Sequence, residues 1–262
     1  MERWRGRVAV VTGGSSGIGA AIAYQLQDAG VNVVAVARRH ERIREAVEAA
    51  RNEAKSRGRD AEYKAPTPGQ LHCLKCDVCK EDDIQSVFQW VKENTKGVDI
   101  LVNNAGVVGD TTLTETNTSD WKRVLDINVL GLSICTREAV QQMKARGLDE
   151  GHIVHISSIA GLSVYPARPQ FSVYAASKNA VRVLTEGLRR ELVAANSRIR
   201  VTEISPGVVK TDIVKHTKID EAQFFGRPFL QPEDVAEAVL FALRAPPHVQ
   251  IHEMVVLPVG QK

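Results

Sequence analysis

The chain has 262 residues, 44% of them hydrophobic and 25% charged, with a formal net charge of +3. These proportions bound it to a soluble globular protein with ample length for one large core. The small, scattered positive charge gives no argument for nucleic acid, and no apolar stretch approaches the roughly 18 residues that suggest a membrane span. Met1-Glu2-Arg3-Trp4-Arg5 leads into a strand-like run without the apolar region of a signal peptide, so a cytoplasmic protein is expected. From there, short β-branched runs alternate with longer helical patterns, the signature of βαβ units around a parallel sheet. Strands are expected at 8–12, 31–35, 71–76, 100–103, 152–156, 200–204 and 254–257, and seven strands suit one sheet. Helices are expected after Gly17 and at 41–55, 81–94, 119–145, 173–194 and 232–243, with Pro232 suited to a first helical position. Residues 53–69, with Pro66, Pro68 and Gly69, read as an extended surface connection.

The first strand is followed by Thr12-Gly13-Gly14-Ser15-Ser16-Gly17-Ile18-Gly19 and then by a helix-forming stretch. Glycines let such a turn bring backbone close to a pyrophosphate, and free N–H groups at a helix start attract its charge. The order here is G-x-x-x-G-x-G rather than G-x-G-x-x-G, so a dinucleotide loop and a turn that serves packing alone both stay open. The second strand bears on the choice. It runs into Arg38-Arg39, about 20 residues after the loop, where an acidic side chain would grip the ribose 2′-hydroxyl of NAD. Arginines instead offer planar, permanently charged forks that suit a 2′-phosphate. NADP rather than NAD is therefore expected, with Arg38 as the direct contact.

Cys73, Cys76 and Cys79 form a Cys-x-x-Cys-x-x-Cys run within what reads as a strand. Three thiolates fall one short of a structural zinc or iron–sulfur set, Cys135 lies in a helical pattern, and His72 faces the other side of a strand from Cys73. Structural thiols, without disulfides or metal, are expected.

Tyr174-Ala175-Ala176-Ser177-Lys178 places a phenol and an ammonium four residues apart, hence on one helical face. A nearby positive charge favours phenolate, although the spacing alone equally describes a surface pair. The landmarks then fall in one order: Gly13-x-x-x-Gly17-x-Gly19, Asn103-Asn104-Ala105-Gly106, Asn128, Ser158, Tyr174-x-x-x-Lys178 and Pro206-Gly207. Over nearly the whole chain the sequence resembles the short-chain dehydrogenase/reductase family.

The resemblance implies one domain over residues 1–262, a Rossmann-like three-layer α/β sandwich on a seven-stranded parallel sheet. It implies NADP(H) as cofactor and a catalytic set of Asn128, Ser158, Tyr174 and Lys178, with Ser158 and Tyr174 meeting the substrate. Lys178 would hold the cofactor ribose and depress the tyrosine pKa, and Asn128 would hold a water or serve packing. Cofactor contacts are implied for Gly13, Ser15, Ser16, Gly17, Ile18 and Gly19 of the loop, and for Arg38 and Arg39. Asp77 and Val78 would lie near the adenine, and Asn104, Ala105 and Gly106 beside the adenosine ribose. Tyr174, Lys178, Pro206, Gly207, Val209 and Thr211 would meet the nicotinamide side.

A substrate lid is expected over about 208–231, with Ile213, Val214, Phe224, Phe225, Phe229 and Leu230 either lining an apolar pocket or packing the lid down. Val107, Val164, Tyr165 and Phe171 are further candidates for the lining, while Lys210, Lys215, His216 and Lys218 read as a solvated strip. Segments such as Leu184-Thr185-Glu186-Gly187-Leu188-Arg189 resemble a subgroup of the family that acts on isoprenoid alcohols such as farnesol, or on hydroxysteroids and other carbonyl compounds. The expected substrate is thus a small apolar alcohol or carbonyl, and the expected assembly a homodimer or homotetramer. A silent NADP-binding sensor and a serine–lysine hydrolase built on Ser158 and Lys178 are the competing readings.

Overall fold

Val8–Thr12 is a run of five buried residues, the pattern of a strand covered on both faces, and forms β1. The computed structural model describes residues 1–59, 63–109, 112–148, 150–162, 169–215 and 220–261, except for the side chains of Pro169, Val214, Gln223 and Phe224. The remaining strands are β2 (Asn32–Ala37), β3 (Leu71–Lys75), β4 (Ile100–Asn103), β5 (His152–Ile156), β6 (Arg200–Pro206) and β7 (Glu253–Val256). They make one seven-stranded sheet in the order β3-β2-β1-β4-β5-β6-β7, every pair parallel. The helices are α1 (Gly17–Asp28), α2 (Ile43–Ser56), α3 (Glu81–Asn94), α4 (Thr118–Leu125), α5 (Leu132–Ala145), α6 (Ser172–Ala194), α7 (Glu221–Phe225) and α8 (Pro232–Arg244).

Alternation along the strands divides the core in two. Ala9, Val11, Val33, Ala35, Ile100 and Val102 pack with α1, α2 and α8 on one face. Val8, Val10, Val34, Val36, Leu101 and Ile153 pack with α3, α5 and α6 on the other. This is a doubly wound Rossmann-like sandwich. Its strand order reverses between β1 and β4, so the carboxyl ends of those strands open the crevice where ligands of such sheets bind.

Three local features depart from the sequence expectations. The helix expected over 119–145 is interrupted by a π-helical turn, Asp126–Gly131, between α4 and α5. The strand expected at 71–76 ends at Lys75, which leaves Cys76 buried beyond it and Cys79 exposed in the following turn. The connection expected at 53–69 begins with a last turn of α2 and is then stitched down: Ala65 N–H donates to Asp28 O and Gly69 N–H to Gln27 O, both at 2.8 Å. Its arginines also reach across to α8. Arg57 pairs with the buried Glu233 at 2.6 Å, and Arg59 with Asp234 and Glu237. Asp234 meanwhile closes the capping box with Gln231 that starts α8, so the clasp and the helix cap share one carboxylate.

Candidate active site

At the switch point the loop after β1 is welded to the loop after β4. Thr12 Oγ1 accepts from the N–H groups of Asn104 and Ala105, both at 3.0 Å, while Asn104 Nδ2 donates to Thr12 O at 2.9 Å and Gly13 O at 3.3 Å. The glycines make room for this. Gly13 has φ 72°, which disfavours any side chain, and a Cβ on Gly19 would lie 2.3 Å from Gly13 O and 2.5 Å from Asn104 Nδ2. Packing therefore explains Gly13 and Gly19 without a ligand. The N-terminus of α1 still offers donors: the side chain of its N-cap, Ser16, accepts no hydrogen bond from the first turn. Thr211 closes the same corner, its methyl 3.0 Å from where a Cβ on Gly17 would sit.

Arg38 and Arg39 follow β2 and are exposed, and the adjacent acid, Glu41, pairs with His40 at 3.3 Å instead. Beyond β3, Asp77 Oδ1 accepts from Cys79 N–H at 3.1 Å, and Val78 presses on the start of α5, where a Cβ on Gly131 would come 2.5 Å from Val78 O. These donors and cations fit a pyrophosphate flanked by a further phosphate.

The candidate reacting groups hang from β5 and α6. Ser158 accepts from Ala160 N–H at 3.2 Å, and its hydroxyl acts on the phenol of Tyr174, which is half-buried with its ring edge-on to Phe171. One helical turn on, Lys178 is only 5% exposed and its Nζ donates to Ile156 O at 2.8 Å. Lys178 is thus no surface residue. Burial lowers its pKa to about 8, opposed by Glu203, while burial raises the Tyr174 phenol, opposed by the Ser158 hydroxyl. The lysine was expected to depress the tyrosine. Its ammonium is instead turned to Ile156 O, and its Nζ lies 5.8 Å from the phenol ring centroid.

Asn128 sits in the π turn, where the widened helix turns its amide inward. It donates to Val107 O at 2.9 Å and Ser177 Oγ at 3.0 Å and accepts from Val107 N–H at 2.9 Å. A Cβ on Gly106 would stand 3.5 Å from both Asn128 Oδ1 and Lys178 Nζ, so these two groups converge on one point of the β4 loop. Asn128 is a satisfied buried amide, with two donors used and one acceptor position left.

The segment 208–231 is pinched at its root. Leu230 N–H donates to Val208 O at 2.7 Å and Lys210 N–H to Leu230 O at 2.8 Å, while Gln261 Oε1 holds Val208 N–H at 3.0 Å. Leu230 belongs to the core, Phe225 packs edge-on against Phe229 at 5.9 Å, and Ile213 is exposed. In the basic strip, Lys215 pairs with Asp212 at 2.6 Å and the Lys210 ammonium lies 5.5 Å over the Phe229 ring. Val164, Tyr165, Pro166, His216 and Lys218 lie outside the described residues, as do the side chains of Val214 and Phe224.

Residues 7–222 match the family model described as short chain dehydrogenase. The chain belongs to the short-chain dehydrogenase/reductase family. Among relatives of this short-chain dehydrogenase, the farnesol dehydrogenase of Aedes aegypti is 50% identical over 263 residues, covering 100% of both chains. Dehydrogenase/reductase SDR family member 11 of Bos taurus is 47% identical over 266 residues, covering 100% of this chain and 99% of its own. Among solved structures, the closed form of a serine dehydrogenase complexed with NADP+ superimposes with a TM-score of 0.80 at 31% identity, covering 97% of this chain and 96% of that one.

Four polar residues of this family member had no place in the reading of its sequence. Thr12 clasps the glycine loop, Ser177 holds Asn128, and His155 and Glu203 are buried under α6. Polar residues in strands otherwise reading as buried were the available signal, in His152-Ile153-Val154-His155-Ile156 and in Arg200-Val201-Thr202-Glu203-Ile204. Among the described residues no three His, Cys, Asp or Glu side chains gather as a metal site, and no helix is long and apolar enough to cross a membrane.

Proposed function

We propose that the protein is an NADP(H)-dependent oxidoreductase that interconverts an apolar alcohol and its carbonyl, with an isoprenoid alcohol such as farnesol as the substrate. The observation that carries this reading is the buried Lys178, its Nζ 5.8 Å from the Tyr174 ring centroid and one turn from it, with the Ser158 hydroxyl acting on that phenol beside a crevice lined with phosphate-type donors. Full-length identity of 50% to a farnesol dehydrogenase supports the substrate class.

The cofactor, when bound, accepts or supplies the hydride at the substrate carbon. The loop Gly13, Ser15, Ser16, Gly17, Ile18 and Gly19 would hold its pyrophosphate, Arg38 and Arg39 its 2′-phosphate, and Asp77 and Val78 its adenine side. Asn104, Ala105 and Gly106 would border one ribose, Lys178 and Tyr174 the other, and Pro206, Gly207, Val209 and Thr211 the nicotinamide. Ser158 Oγ orients the substrate oxygen. During carbonyl reduction Tyr174 gives its phenolic proton to that oxygen, and during alcohol oxidation the phenolate takes the proton back. A phenol raised by burial is protonated at neutral pH and so starts out as the proton donor. Lys178 holds positive charge where phenolate forms, and Asn128 fixes Val107 and α6 at its side. A serine–lysine hydrolase fits less well, because the Lys178 ammonium donates to Ile156 O.

A homodimer or homotetramer through α5 and α6 belongs to the same reading, supported by the exposed Val183, Leu184 and Val193. A cytoplasmic setting fits the four free cysteines. The deciding assay mixes the protein with NADPH and apolar aldehydes and ketones, or with NADP and farnesol or a hydroxysteroid, and follows the nicotinamide absorbance. Turnover with farnesol that disappears in Tyr174→Phe, with cofactor binding kept, is the expected result. Tight NADP binding without turnover on any substrate overturns it in favour of a sensor.

A further inference from the structure

Because every strand pair is parallel, the sheet has a second edge at the amino ends of its strands, on the far side from the crevice. A cavity of about 30 Å³ lies there, lined by Arg3, Trp4, Arg7, Glu150, Arg198 and Arg200. One ordered water needs about 10–15 Å³, so the cavity has room for a small ion. Separate parts of the fold supply its walls. Arg3 and Trp4 belong to the short helical turn Glu2–Trp4, Arg7 precedes β1, Glu150 precedes β5, and Arg198 and Arg200 stand at the start of β6.

A helix end gathers the arginines. Leu243 O, in the last turn of α8, accepts from Arg3 Nη2 at 2.6 Å, Trp4 Nε1 at 2.8 Å and Arg200 Nη2 at 3.2 Å. Ala245 O accepts from Arg3 Nη2 at 2.8 Å and Arg200 Nη1 at 3.1 Å. Two guanidinium groups thus share two acceptors and lie side by side. Arg200 is 6% exposed, and Arg3 Nε is buried with no hydrogen-bond partner among the described residues. Like charges so close and so far from water repel, and burial followed by the charge of Arg3 lowers Arg200 to about 10.

The nearby acids do not balance this pair. Asp99 is taken by Arg7 at 3.2 Å and Arg146 at 3.3 Å. Glu150, the one acid that acts on Arg3 or Arg200, stands on the exposed rim and pairs with Arg198 at 3.9 Å. The carbonyl end of α8 contributes about half a negative charge, which leaves about one and a half positive charges on Arg3 and Arg200. A carboxylate falls short of that, whereas a phosphate group carries about −1.5 to −2 near neutral pH and suits guanidinium forks.

We propose that this cavity is a phosphate-binding site, with Arg3 and Arg200 as its principal ligands and Arg198 at its mouth. It takes inorganic phosphate or the terminal phosphate of a monoester. The site is separate from the cofactor crevice and does not depend on the catalytic reading of Tyr174 and Lys178. A bound phosphate ties the first turn of the chain to β6 and α8.

The test is a calorimetric titration of the full chain with inorganic phosphate at fixed ionic strength. A saturable site is expected, and Arg3→Met should weaken it about tenfold or more through loss of a charged hydrogen-bond donor. Should Arg3→Met fail to fold, two exposed rim positions carry the test in opposite directions. Arg198→Ala weakens binding and Glu150→Gln tightens it, each about two- to fivefold. Arg38→Asp, which alters the crevice, leaves this phosphate in place. Glycerol 3-phosphate tells the two sources apart: binding tighter than that of inorganic phosphate shows that the cavity takes the end of a monoester, and weaker binding that it takes the free ion. The proposal is overturned if no saturable binding is seen, if the cavity variants leave it untouched, if Arg38→Asp abolishes it, or if acetate binds as tightly as phosphate.

Discussion

Thr12 and Asn104 hold each other twice, once through the Thr12 hydroxyl and the Asn104 N–H at 3.0 Å, and once through the Asn104 amide and the Thr12 carbonyl at 2.9 Å. The pair joins β1 to β4 at the mouth of the crevice. Thr12→Val keeps the shape but leaves the N–H groups of Asn104 and Ala105 without their acceptor, at about 1–3 kcal/mol for each buried donor. Expected are a melting temperature lower by several degrees and weaker NADP binding, read by thermal unfolding and cofactor titration. Wild-type values of both would show the clasp to be dispensable.

Arg38→Asp replaces the proposed phosphate ligand by a group that repels phosphate and suits a ribose hydroxyl. NADP affinity should fall at least about tenfold, or about 1.4 kcal/mol, with NAD affected little or improved. Equal loss for both cofactors would point to damage rather than recognition.

The clasp between Arg57 and Glu233 can be weighed by a double-mutant cycle. Glu233 is 3% exposed and Arg57 partly screened by solvent, so Arg57→Met should cost about 1–2 kcal/mol by stranding a buried carboxylate. Combining it with Glu233→Gln should cost less than the two separate losses, by about 1 kcal/mol in urea unfolding. Strict additivity would mean that the connection lies on α8 without holding it.

Lys178 carries a stability cost that depends on pH. Its folded pKa of about 8 lies below the unfolded value, so between the two the unfolded chain binds more protons and stability rises with pH. The penalty is fully present below about pH 8 and fades by about pH 10. Lys178→Met should therefore melt higher than wild type at neutral pH, by an amount on the order of 2 kcal/mol, with the gain shrinking as pH rises. A variant less stable than wild type at pH 7 would contradict the direction of that shift.

Thiol labelling should follow burial. Cys79 is exposed and Cys73 half-buried, whereas burial pushes Cys76 up to about 12 and raises Cys135 as well. Iodoacetamide should modify Cys79 first, and Cys76 and Cys135 only on unfolding, as mapped by mass spectrometry. Early loss of Cys135 would reveal opening of α5.

The alternation of strands and helices, the glycine loop and the pair Tyr174 and Lys178 were legible because each is a short, local pattern. The burial of Lys178 was not, since it depends on Ile156, which approaches it only through the crossover from β5 to α6. The ties of 53–69 escaped for the same reason, because Arg57 and Glu233 are 176 residues apart. Asn104 shows a subtler limit: its place in a motif marked it as a cofactor neighbour, while its hydrogen bonds go to the loop itself. The break in the helix at 126–131 leaves no mark of proline or glycine inside the turn before Gly131.

That break has a consequence for the length of the chain. A π turn is an α-helix with one residue too many, so deleting a residue there would yield a straighter and more regularly bonded helix. It would also rotate α4 by about 100° against α5, carrying Asn128 out of register with Val107 or Ser177. Local regularity and the inward amide of Asn128 thus ask for different residue counts, and this chain has kept the extra residue.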